Sequence, residues 1–226
     1  MIYAIPTLAL LALIFGPQLW VRYVLRKHSR HLDGMPGTGS ELARHLLQKF
    51  GLTDVKVKQG GKDENYYHPE QNTVCLSPDV YTGKSLTAVA VAAHEVGHAI
   101  QFNKQEPVSQ LRGKYLNKAH RIQAVGVFIL TVLPIVSLLI RIPHLALVSA
   151  LIGILTMAAS VALYVAILPE EFDASYNKAL PILATGYVPE TYMPAVRQIL
   201  KACALTYVAG ALADILRLWR WIAILR

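Results

Sequence analysis

The chain has 226 residues, of which 54% are hydrophobic, and a mean hydropathy of +0.39, which is too apolar for an ordinary soluble fold. Its net charge of +8 does not point to nucleic acid: 15 of the 22 Lys and Arg residues lie between Arg22 and Arg121, nine acids are interspersed, and no basic helix or aromatic stacking pattern organises them. Retention of positive residues on the cytoplasmic side of a membrane explains the bias more simply, and the two cysteines, Cys75 and Cys203, demand no oxidising compartment.

Ile2 to Val21 is apolar apart from Thr7 and Gln18, and matches the roughly 20 helical residues that cross a hydrocarbon core. No basic residue precedes it and no small-residue cleavage site closes it, while Arg22, Arg26, Lys27 and Arg30 follow. It reads as an uncleaved anchor with its amino terminus outside, rather than a removable signal. Thr38 to Gly51 opens with a capping box, Thr38 and Glu41, carries Leu42, Leu46, Leu47 and Phe50 as an apolar stripe, and stops at a glycine, which predicts a short amphipathic helix. Val55 and Val57 alternate with lysines, Gly60-Gly61 turns the chain, and Asn72 to Ser77 alternates again, so two strands are expected. Asn72 to Ser77 is the candidate free edge on which a peptide could add as a further strand; an internal strand without a ligand role fits the pattern equally.

Ser85 to Phe102 is an apolar helical run whose ionisable groups are His94, Glu95 and His98, an HExxH pattern. At a spacing of four, both imidazoles project from one face, one turn apart, where a tetrahedral Zn²⁺ can take a nitrogen from each. Glu95 between them has the position of a general base toward a water acidified by the metal. Ionisable groups without a role are costly in such a run, which argues against accident. This is the chemistry of a zinc peptidase.

Ala124 to Ile140 and Leu145 to Leu168 are charge-free stretches separated only by Arg141 to His144, the pattern of a membrane hairpin. Catalytic zinc commonly takes three protein ligands, and position 104 is a lysine, which rules out a third histidine at the spacing HExxHxxGxxH. The downstream carboxylates are Glu106, Glu170, Glu171, Asp173 and Glu190, three of them in Pro169 to Ser175. If the hairpin leaves and returns across the bilayer, Glu171 emerges on the same side as His94. Glu170 by itself reads as a solvated helix start. Ala202 to Arg226 is apolar in its first half but carries Asp214, Arg217 and Arg220, with Trp219 and Trp221 suited to an interface, and reads as a fourth membrane or interfacial helix.

A family resemblance is carried by Tyr67-His68-Pro69, Asn72-Thr73-Val74, Leu76-Ser77, Val80-Tyr81, Ala92 to Gln101, Glu171 to Ser175, and Ala204 to Ala209. Glu171-Phe172-Asp173-Ala174-Ser175 resembles the ExxAD element of gluzincins of the HtpX and CAAX prenyl protease type. The whole pattern resembles the bacterial YugP-like membrane-bound neutral zinc metallopeptidases. The resemblance implies that His94, His98 and Glu171 are zinc ligands and Glu95 is the base. Ser175 stands where the wider gluzincins have an aspartate that orients a ligand histidine, and its neutral hydroxyl implies a weaker hold. Asp173 is expected on another face of its helix. For the oxyanion, Tyr66, Tyr67, His68, His120, Arg197 and Tyr207 are available, and spacing singles out none.

The expected fold is an α+β membrane protein, mostly helical, with three to four transmembrane helices and a small gluzincin-like α+β catalytic unit. Its expected divisions are an anchor (1–21), a catalytic unit (22–121), a transmembrane hairpin (122–168), a second catalytic segment (169–201) and a last membrane or interfacial helix (202–226). The expected function is zinc-dependent endopeptidase activity on membrane-associated peptides or proteins, in a multi-pass protein of the cell membrane whose site faces the cytoplasm. The competing readings are a site-2 type intramembrane protease, which lacks an LDG-type aspartate motif here, and a noncatalytic zinc-bound scaffold, which would have no need of Glu95.

Overall fold

The structure is a computed structural model that describes residues 4–224, with the side chains of 4–10, 13, 14, 143 and 213–224 left aside. It begins with helix α1 (Ala4–Lys27) and has two compact units. One comprises Trp20–Gln110 and Pro169–Leu205; the other comprises the residues up to Leu19, Leu111–Leu168, and Thr206 onward.

In the first unit, α2 (Gly39–Lys49) forms as its cap predicts: Thr38 Oγ1 accepts from the Glu41 amide and Glu41 Oε2 accepts from the Thr38 amide at 2.7 Å. Leu46 and Leu47 are buried, Leu42 is half-buried, and Phe50 at the carboxy-terminal cap lies exposed. Gly51 follows at φ +73°, the left-handed conformation that ends a helix and suits glycine.

Three short strands come next: β1 (Lys56–Gln59), β2 (Tyr66–His68) and β3 (Thr73–Leu76). Their order is β1-β3-β2, with β3 parallel to β1 and antiparallel to β2. The Asn72 to Ser77 segment is therefore the central strand and not an edge. Its alternation is misleading because Thr73 and Cys75 are buried along with Val74 and Leu76, so both faces are covered. Among the described residues, the edges of the sheet belong to β1 and β2.

After the short helix α3 (Pro78–Tyr81), Ser85 caps α4 (Leu86–Asn103) by accepting from the Ala88 amide at 3.1 Å. Every residue of α4 from Leu86 to Gln101 is buried. The helix is apolar all round because it is the core helix of the unit, packed by α2, by β2 and β3, and by the segment that follows Leu168. Gly39 and Gly97 permit the closest approaches: a Cβ at Gly39 would strike the carbonyl oxygens of Val80 and Ala88, and one at Gly97 would lie 2.7 Å from the Ala174 oxygen.

In the second unit, α5 (Leu111–Leu139) and α6 (Pro143–Val165) form a hairpin. Gly126 against Met157 and Gly153 against Leu130 let the two helices approach closely. Their outer faces are apolar and exposed, Leu138 at 80%, Leu139 at 76% and Leu147 at 72%, which suits lipid rather than water. These are the helices that are long and apolar enough to cross a membrane among the described residues: two, not three to four. Part of the Ile2 to Val21 stretch and the side chains of 213–226 lie outside the described residues. In Met193–Ile224, here α9, the residues Val196, Ile199, Leu200, Ala202 and Ala204 are fully buried, and the charge-free stretch between Lys201 and Asp214 falls short of the roughly 20 residues a span needs.

Candidate metal centre

The two histidines of α4 lie one turn apart on one face, their ring centroids 4.7 Å apart and their Nε2 atoms 3.3 Å apart. The third donor comes from α7 (Leu168–Phe172), which runs on into a π-helical segment (Asp173–Ala179) and the single turn α8 (Leu180–Ile182). Gly97 matters here, because its missing side chain lets the Ala174 backbone lie directly on α4 between the histidines. The approach brings Glu171 Oε2 to 3.3 Å from His94 Nε2 and 3.3 Å from His98 Nε2. All three residues are buried.

The donor set fits zinc. Three atoms about 3.3 Å apart sit at three corners of a tetrahedron whose centre is about 2.0 Å from each, the usual Zn–N and Zn–O length. The tautomers agree. Ser175 Oγ donates to the Leu200 carbonyl at 3.0 Å, so it accepts from His94 Nδ1, also at 3.0 Å, and His94 Nε2 keeps its lone pair. Lone pairs and a carboxylate gathered at one buried point call for a cation between them.

Glu95 is buried at 5% exposure, and its Oε2 accepts no hydrogen bond among the described residues. A buried carboxylate oxygen in that state is costly unless a water or substrate meets it.

The other sequence candidates separate. Glu170 is not a solvated helix start: it is buried, with Oε1 3.9 Å from His98 Nδ1, on the side of α7 that faces α4. Glu106 pairs with Lys178 at 2.9 Å, and Glu190 is exposed. Asp173, expected on another face, accepts from Gln101 Nε2 at 2.7 Å, and Gln101 Oε1 lies 3.0 Å from His98 Nδ1. Sequence reasoning passed over Gln101. The signal was present: it lies three residues after His98, on the same face, and is one of the few polar groups of a largely apolar helix. Tyr67 donates to Asn72 Oδ1 at 2.9 Å and packs on Phe102; Arg197 is exposed; His120 and Tyr207 belong to the other unit.

A largely helical protein with two apolar candidate spans and a buried His-His-Glu donor set is the class that fold and site define. The profile of a family described as "Putative neutral zinc metallopeptidase" matches residues 2–226, and the chain belongs to that family. It is 34% identical over 226 residues to "Putative membrane protease YugP" of Bacillus subtilis (strain 168), an alignment covering 99% of this chain and 96% of the relative. No solved structure matches the chain.

Proposed function

We propose that the chain is an integral membrane zinc endopeptidase in which His94, His98 and Glu171 hold the ion and Glu95 is the general base. The observation that carries this reading is the triangle of donor atoms, 3.3 Å on each side, beside a buried Glu95 carboxylate. Zinc bound there supplies Lewis acidity, polarising a scissile carbonyl and making water a better nucleophile. Glu95 takes the proton of the attacking water and passes it to the departing amine, which then leaves neutral. Ser175 keeps His94 in the tautomer that presents Nε2. The close packing of α4 by α2 and the sheet favours a site enclosed by protein over a site-2 type helix exposed to lipid. Purified protein is expected to contain about one Zn²⁺ per chain and to cleave casein-type or peptide substrates. Stoichiometric zinc in the His94→Ala, His98→Ala double variant would refute the ligand assignment.

The same reading makes the chain a multi-pass protein of the cell membrane that cleaves membrane-associated peptides or proteins at the cytoplasmic face. The Lys and Arg residues between Arg22 and Arg121 support that orientation, and the loop Arg141 to His144 is then outside. Cys75 and Cys203 are both buried, so Lys62→Cys provides an exposed reporter thiol. An impermeant maleimide is expected to label it in broken cells and to spare it in intact ones. Labelling in intact cells would reverse the topology.

A further inference from the structure

A side-chain amide has one end that accepts and one that donates, and Gln101, with no exposed surface, uses both. Its Nε2 donates to the Glu170 carbonyl at 2.9 Å and to Asp173 Oδ2 at 2.7 Å. Both are acceptors, so the amide has one orientation, and Oε1 faces His98 Nδ1 at 3.0 Å. An amide oxygen only accepts. His98 Nδ1 must therefore carry the proton and Nε2 the lone pair. Glu170 Oε1, 3.9 Å from the same nitrogen, is beyond hydrogen-bond reach and favours that proton electrostatically. Asp173 is held in turn by Asn177 Nδ2 at 2.6 Å and Lys178 Nζ at 3.2 Å, and Lys178 is tied to Glu106 at 2.9 Å.

We propose that Gln101 is a positioning residue that presents His98 Nε2 to the metal, with Asp173 and Lys178 setting the direction of its amide. This rests on the zinc reading above. It also gives the two histidines different supports, since His94 relies on the Ser175 hydroxyl and His98 on an amide locked to the segment that supplies Glu171.

The test measures zinc affinity of the full-length, detergent-purified chain by competition with a chromophoric chelator, alongside the visible absorption of the Co²⁺-substituted protein. Gln101→Met keeps the length but accepts nothing, and is expected to weaken zinc binding by about 10- to 100-fold. Gln101→Glu still accepts from His98 but sets a carboxylate against Asp173 and the Glu170 carbonyl, so it too is expected to bind weakly. In Q101E/D173N one member of the pair is again an amide and the other a carboxylate, and affinity and the Co²⁺ spectrum are expected to return toward wild type. That rescue separates positioning from bulk, because a packing defect in the first variant is not repaired by the second. Unchanged affinity in Gln101→Met, or a double variant no better than Gln101→Glu, overturns the positioning role while leaving the zinc site standing. A wild-type chain that holds no zinc overturns the underlying reading and this proposal with it.

Discussion

Glu95→Gln is expected to retain zinc at wild-type stoichiometry and to hydrolyse peptides more slowly by about 10²- to 10⁴-fold, the usual worth of a positioned general base. The amide keeps the shape of the carboxylate but cannot accept the proton of the attacking water. Glu95 lies outside the set of donors, since His94 Nε2, His98 Nε2 and Glu171 Oε2 form the triangle without it. Its own oxygen Oε2, buried and accepting no hydrogen bond among the described residues, is the atom the substitution alters. Turnover at the wild-type rate with zinc in place would mean that the base lies elsewhere. Loss of zinc would mean that Glu95 is a ligand. Metal content and turnover measured on the same preparation separate these outcomes.

Glu171→Ala is expected to lose both zinc and activity, a larger effect than the roughly 10- to 100-fold loss that follows removal of a group one contact further out. One of three donors disappears, and the one that goes is the only negative charge in the set. Glu170→Ala is the informative neighbour. Its carboxylate is buried too, but it stands 3.9 Å from His98 Nδ1, on the ring edge away from the donor triangle. That variant is expected to keep its zinc with a modest loss of affinity, larger than a surface substitution would cause. If Glu170→Ala emptied the site and Glu171→Ala did not, the third donor would be misassigned by one residue.

The features legible in the sequence are those whose cause is local. A four-residue spacing sets His94 and His98 on one helical face wherever the helix goes, and Thr38 with Glu41 caps α2 by bonds that span three residues. The two charge-free stretches of α5 and α6 announce themselves by length alone. Glu171 was reachable as one of several downstream acids, but choosing it needed a family resemblance, because 73 residues separate it from His98 and no local rule spans that distance.

Tertiary structure decided the rest. Alternation in Asn72 to Ser77 cannot tell an edge strand from a central one; the pairing with β1 on one side and β2 on the other settles that, and the burial of Thr73 and Cys75 along with Val74 and Leu76 shows that both faces are covered. A carboxylate at a helix start, such as Glu170, looks solvated until another element covers it. The missing Cβ of Gly97 lets the π-helical segment after Phe172 lie against α4, with Ser175 at His94 and Asp173, on a different face from Glu171, at Gln101. Gln101 was visible as a residue and not as a function. The sequence by itself determined which chemistry one helix can offer, since that depends on spacing along a single element. Only the tertiary structure decided which groups hold those side chains in place, because hydrogen bonds between segments distant in the chain depend on distances that no local pattern encodes.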